Sequence, residues 1–237
     1  PVILNLAEQS TKDAVRFAQK AEEIGSTGLM LLPPMRYKAS DEEVVAYFKA
    51  VAAATSLPIL IYNNPVDYGI KVTLDMFEQL LDCPTIQAVK ESTRDLTNVT
   101  RMINRFGDRY KILCGVDTIT LEAQLLGANG TVAGLVDAFP RERVAVFNLA
   151  KAGRLDEALK IYRWFMPLLE LDIHPRLVQY IKLAAKAEGL SNEYVRAPRL
   201  LLPKEEKERV QKIIDEAIAT RPELPEYLHL EQTAVIA

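Results

Sequence analysis

Histidine, cysteine and tryptophan are scarce. The 237 residues hold two histidines, two cysteines and one tryptophan. His174 and His229 have no metal-ligand neighbours in sequence. A zinc site and a Ser-His-Asp triad both need well-placed imidazole, so both are set aside. Cys83 and Cys114 make no disulfide framework. Cys114 lies in an apolar run and reads as a small core residue, and this cysteine usage fits a reducing cytoplasm. No apolar stretch approaches the ~18–20 residues of a membrane span. An excess of one charge is missing too. Lys and Arg total 29 and Asp and Glu total 32, leaving a net charge of −3. That offers no electrostatic footprint for nucleic acid or an anionic membrane. No G-x-G-x-x-G or Walker sequence occurs, so nucleotide binding has little support.

What is present is a core-forming chain, 49% hydrophobic. Six short apolar runs recur at Val2–Leu4, Gly28–Leu32, Pro58–Tyr62, Ile86–Lys90, Tyr110–Cys114 and Gly130–Val136. They are continuous rather than alternating, which suits strands buried on both faces of a parallel sheet. Helical patterns separate them. Ser10 or Thr11 caps one that stops at Gly25. Ser40 with Glu43 forms a capping box ahead of an Ala46, Tyr47, Ala50, Val51, Ala54 stripe. Thr73 starts a helix ending before Pro84. Asp95 or Asn98 opens one closed by Gly107, Asp117 or Thr118 one ending at Gly127, and Pro140 one ending at Gly153. Residues 1–153 thus read as six βα units. Residues 154–237 read as a helical appendage, with helices over 154–171, 175–188 and 203–219 and a tail ending in three apolar residues without a period. An open doubly wound sheet is the plainer architecture. It normally announces itself by a phosphate loop after its first strand, and Asn5–Gln9 contains no glycine.

Lys90 is the most unusual residue, because it closes an apolar strand at its C-terminal end. Drawn inward, it would sit where burial disfavours the ammonium, and a free amine can attack a carbonyl or imine carbon. The other reading is a lysine already turned into solvent. Tyr62 closes the preceding apolar run, and strand C-termini converge on the site in parallel α/β folds. A phenol beside an amine can relay protons; a tyrosine packed at a strand end is the alternative. Glu91 points to the opposite face from Lys90 by alternation and reads as outward. Gly115, Gly130 and Gly134 border strands, where glycine permits close approach or simply makes a turn. Arg36, Tyr37 and Lys38 follow the second strand as carboxylate ligands, a subunit contact or a solvated loop.

Taken together, Tyr62-Asn63-Asn64-Pro65, Val89-Lys90-Glu91-Ser92, Gly115-Val116-Asp117 and Gly127-Ala128-Asn129-Gly130 resemble the dihydrodipicolinate synthase / N-acetylneuraminate lyase family. These are class I Schiff-base-forming (β/α)8 barrels. The resemblance implies an α/β TIM barrel, of which residues 1–153 would supply units three to eight, lacking the first two βα units. It implies that Lys90 is the Schiff-base lysine and Tyr62 the proton-relaying tyrosine. It places Gly115 behind the lysine and Val132 where a backbone carbonyl lies near the catalytic centre. It implies no metal and no organic cofactor, a small keto or imino acid as substrate, and a homodimer or homotetramer.

Two departures stand out within the resemblance. Synthases of this family carry an arginine at the position of Asp67, where it binds a second substrate's carboxylate. A tyrosine they use across a subunit contact aligns with Arg36, next to Tyr37. The chain looks most like the 1-pyrroline-4-hydroxy-2-carboxylate deaminase subgroup, around Pro33-Pro34-Met35, Tyr62-Asn63-Asn64-Pro65, Gly134–Pro140, Tyr162–Leu168 and Val195–Arg199. The expectation is deamination of that cyclic imino acid to 2,5-dioxopentanoate. Sugar-acid dehydratase or 2-keto-3-deoxy acid aldolase activity is the alternative within the family, with dihydrodipicolinate synthesis disfavoured. A non-catalytic barrel that binds a small acid is the alternative of another class.

Overall fold

The computed structural model describes residues 1–230. The chain forms two compact units. One comprises residues 1–115 and 126–131, the other residues 116–125 and the chain from Val132 onward.

The first unit is built on a parallel sheet. Among the described residues its strands are β1 (Ile3–Leu6), β2 (Gly28–Leu31), β3 (Ile59–Asn63), β4 (Ile86–Glu91), β5 (Lys111–Cys114) and β6 (Gly130–Thr131), in spatial order β1-β2-β3-β4-β5-β6. Helices α1 (Thr11–Glu23), α2 (Asp41–Ala52), α3 (Pro65–Tyr68), α4 (Leu74–Gln79) and α5 (Thr97–Phe106) carry the chain from strand to strand. A doubly wound sheet reverses its order at a switch point. This sheet never reverses, which is the βα progression of a TIM barrel.

Each helix starts where its sequence allows. The Ser10 hydroxyl accepts the Asp13 N–H at 3.2 Å to open α1, whose buried Ala14, Ala18 and Ala21 permit close packing. At α2 the Ser40 hydroxyl accepts the Glu43 N–H at 3.3 Å, and the Glu43 carboxylate accepts the Ser40 N–H at 2.8 Å. The buried face of α2 is Val44, Tyr47, Phe48 and Val51, with Ala46 exposed. The expected stripe was rotated, because the bulkier Val44 and Phe48 claim the core. Helix α4 ends at Gln79, short of Pro84, the last residues before it forming turns.

Two local features differ from expectation. The run Gly130–Val136 pairs as a strand only at Gly130 and Thr131. Beyond it, Leu135–Asp137 form a short 3-10 turn, because the Asp117 carboxylate accepts the N–H groups of Gly134 (2.9 Å) and Leu135 (3.0 Å). Helix α3 was not anticipated. It is one turn with Pro65 at its first position, Asn64 as its cap and Gly69 at φ 71° as its stop.

The second unit is helical, with α6 (Thr120–Leu125), α7 (Pro140–Lys151), α8 (Leu155–Leu169), α9 (Leu177–Ala187) and α10 (Lys204–Ala219). Phe139, Leu149, Phe165, Leu168, Tyr180, Val210 and Ile214 form its core. Phe139 and Phe165 meet edge to face at 5.6 Å, and the Trp164 indole donates to the Ala217 carbonyl at 3.0 Å. The three appendage helices expected from sequence are α8, α9 and α10. The apolar residues 235–237 of the tail lie outside the described residues.

Candidate active site

Strands β3 and β4 place the two reactive side chains. Their parallel register sets Tyr62 against Lys90 and Asn63 against Glu91. Residues paired this way share a face, so Tyr62 and Lys90 project together from the strand ends. Both are half-buried. The Lys90 amine lies 4.1 Å from the centroid of the Tyr62 ring, a distance at which the ring face attracts a cation.

Gly115, one residue past β5, leaves space for the lysine. Its N–H donates to the Glu91 carbonyl at 2.8 Å. A Cβ at this position would lie 2.8 Å from both Cγ and Cε of Lys90 and would overlap the Ser92 hydroxyl. The glycine is therefore demanded by the closeness of the Lys90 stem. Ser92 is two residues beyond Lys90 and shares its face. It is 3% exposed, and its hydroxyl has no hydrogen-bond partner among the described residues. The sequence gives Ser92 no role beyond its place in the Val89–Ser92 motif, although alternation from Lys90 is enough to put it on the lysine's face.

Glu91 does point away from Lys90, as alternation requires, but it does not reach solvent. It is 6% exposed. Its carboxylate accepts from the side-chain amides of Asn63 (3.2 Å) and Asn98 (2.7 Å) and from the Thr93 N–H (2.8 Å). Burial is the largest influence and pushes this carboxyl above its ordinary range, with the hydrogen bonds pulling the other way. Asn63 in turn clasps the backbone of Val72, its oxygen accepting the N–H at 2.9 Å and its nitrogen donating to the carbonyl at 3.0 Å. The strand end beneath Lys90 and Tyr62 is thus tied to the loop beyond α3 and to α5.

The Tyr62 hydroxyl accepts from the Asn64 amide at 3.1 Å, and the same amide donates to Asp67 at 2.7 Å. Tyr68 packs edge-on against Tyr62, ring centroids 5.5 Å apart. Burial first, then the electrostatic influence of Tyr62 and Asp67, pushes the Tyr68 hydroxyl up to about 12.

Lys90, Tyr62 and Gly115 therefore come together in the first unit. Tyr37 lies on the loop between β2 and α2, 57% exposed, with Arg36 and Lys38 also exposed. The nearby Glu43 carboxylate raises its hydroxyl above the ordinary phenol range. Val132 belongs to the second unit and is partly buried. Among the described residues no cluster of three or more His, Cys, Asp or Glu side chains could hold a metal ion, and no helix is long and apolar enough to cross a membrane.

An amine laid on a phenol at the ends of adjacent parallel strands is a layout for covalent carbonyl chemistry. The family model for the dihydrodipicolinate synthetase family matches residues 1–217. The chain belongs to that family. The 4-hydroxy-tetrahydrodipicolinate synthase 1 of Halalkalibacterium halodurans is 27% identical over 215 residues, 91% of this chain and 73% of the relative. The solved 4-hydroxy-tetrahydrodipicolinate synthase of Methylacidiphilum fumariolicum SolV superimposes with a TM-score of 0.82 at 30% identity, over 91% of this chain and 73% of that one. A catalytic-lysine mutant of the Ruminococcus gnavus sialic acid aldolase superimposes with a TM-score of 0.83 at 25% identity, covering 92% and 73%. The dihydrodipicolinate synthetase family is a family of Schiff-base lyases and aldolases that work through a lysine, without a metal or an organic cofactor.

Proposed function

We propose that this chain carries the Schiff-base lysine of a lyase acting on a small 2-keto or cyclic 2-imino acid, with Lys90 as nucleophile and Tyr62 as proton relay. The observation that carries the reading is the Lys90 amine 4.1 Å from the Tyr62 ring centroid, in space kept open by Gly115. Lys90 adds to the carbon bearing the carboxylate, and the resulting iminium serves as an electron sink. Borohydride reduction in the presence of pyruvate tests it. A Schiff base leaves covalent mass on Lys90, whereas a barrel that only binds the acid leaves none.

For the substrate, the reading is deamination of 1-pyrroline-4-hydroxy-2-carboxylate. Lys90 attacks the ring imine carbon and opens the ring by transimination, freeing the ring nitrogen as an amine. Proton loss next to the iminium expels the 4-hydroxyl as water. Tautomerisation turns the amine-bearing carbon into an imine, whose hydrolysis releases ammonia. A second hydrolysis frees 2,5-dioxopentanoate from Lys90. The net reaction consumes one water. Asp67 supports this reading. Its carboxylate is one amide away from the Tyr62 hydroxyl, a place where negative charge opposes a second substrate that is itself a carboxylate.

The names of the relatives favour a second reading, 4-hydroxy-tetrahydrodipicolinate synthesis. Turnover of the hydroxypyrroline carboxylate, measured beside pyruvate with aspartate semialdehyde and beside 2-keto-3-deoxy sugar acids, separates the readings. The enzyme would work in the cytoplasm as a homodimer or homotetramer, which light scattering tests.

A further inference from the structure

Asn64 stands between Tyr62 and Asp67 and is 5% exposed. Its amide oxygen accepts the Asp67 N–H at 3.3 Å, as the cap of α3. Its nitrogen lies 3.1 Å from the Tyr62 hydroxyl and 2.7 Å from the Asp67 carboxylate. The cap bond needs an acceptor and the carboxylate needs a donor, so the two together fix which way the amide faces. An amide NH₂ has two hydrogens, one for each of these oxygens. The Tyr62 oxygen is therefore the acceptor in its bond to Asn64, and its own proton points elsewhere. The Lys90 amine lies over the ring of this same tyrosine.

We propose that Asn64 is a positioning residue for Tyr62. It donates to the phenol oxygen, directs the Tyr62 proton towards the reacting carbinolamine, and supports that oxygen once the proton has gone. Asp67 holds the amide in place. The inference rests on the Schiff-base reading above. In the step concerned, the lone pair of the Lys90 nitrogen forms the C=N bond as the C–O bond of the carbinolamine breaks. The departing oxygen takes the Tyr62 proton and leaves as water. The phenolate then keeps the Asn64 hydrogen bond until hydrolysis of the iminium returns its proton.

The test is the rate of pyruvate trapping by borohydride at limiting pyruvate, in the wild type, Asn64→Leu, Tyr62→Phe and the double variant. Leucine has similar volume and no donor. Asn64→Leu is expected to slow trapping about 10- to 100-fold, a part of what acid–base catalysis contributes. In the Tyr62→Phe background the same change should shift the rate less than about twofold, because it acts through the missing hydroxyl. The exchange variant Asn64→Asp/Asp67→Asn keeps a cap oxygen and the net charge but has no donor at position 64. It should stay slowed about tenfold or more, even if Asn64→Leu fails to fold. An undiminished effect of Asn64→Leu in the Tyr62→Phe background, or a wild-type rate in the exchange variant, would overturn the proposal. Absence of trapping in the wild type would overturn the Schiff-base reading and this inference with it. Trapping that ignores Asn64 overturns the positioning role alone.

Discussion

Adding one methyl group at Gly115 should cripple the site while leaving the fold standing. The new Cβ would lie 2.8 Å from Cγ and Cε of Lys90 and would overlap the Ser92 hydroxyl. Ordinary carbon–carbon contact is about 3.5–4.0 Å, so the Lys90 stem must retreat by about 1 Å. A displacement of about 1 Å in a reacting group costs on the order of 10²-fold in rate. The atoms met are side chains, and Gly115 is not among the residues with positive φ, so the backbone does not resist. Overpacking of this kind destabilises by about 1–3 kcal/mol, which lowers the melting temperature by several degrees in a protein of this size. The assay pairs thermal melting with the rate of borohydride trapping by pyruvate. Gly115→Ala should melt slightly early and trap about 100-fold more slowly. Ser92→Ala added to it relieves the hydroxyl overlap and should recover stability, but not rate, because the Lys90 contact remains. Wild-type trapping in Gly115→Ala would refute the argument that this glycine keeps space for the lysine.

Tyr62→Phe removes one relay hydroxyl and leaves the amine, so turnover should fall by about 10²–10⁴-fold while slow trapping on Lys90 survives in mass spectra. Glu91→Gln replaces the buried carboxylate, which accepts from Asn63, Asn98 and Thr93, with an uncharged amide of the same shape. Burial raises the Glu91 carboxyl in the folded state, so the folded form binds this proton more readily than the unfolded chain. Its contribution to stability is fully present below the unfolded carboxyl range and is lost as pH rises through the folded value. The stability of wild type relative to Glu91→Gln, followed by melts across acidic pH, should therefore decline as pH rises through that window. In the second unit, a Cβ at Gly134 would overlap the Asp172 carboxylate and fall 2.6 Å from Cδ1 of Ile181. Gly134→Ala should destabilise by about 1–3 kcal/mol on thermal melting.

The sheet was legible because its strands are buried on both faces, which leaves continuous apolar runs bounded by caps and glycines. The proximity of Lys90 and Tyr62 was legible for the same reason. Each closes such a run, and parallel register did the rest. Where long-range hydrogen bonds decide, local pattern failed. The run ending at Val136 reads as strand, yet the Asp117 carboxylate, distant in sequence, captures two of its N–H groups and turns it into a 3-10 turn. Glu91 reads as outward by alternation, and only the packing of Asn98 on α5 shows it covered. Helix α3 is too short to have a period, although Asn64, Pro65 and Gly69 are its cap, first position and stop. Asn64 matters through a pair of bonds that no spacing rule announces.

The most direct test of the account is borohydride reduction of the protein with pyruvate, followed by peptide mapping. The account predicts covalent mass on the peptide that carries Lys90 and on no other, lost in Lys90→Arg, because arginine stays protonated and cannot act as the amine. A protein that gains no mass, gains it on another lysine, or still gains it as Lys90→Arg would contradict the account.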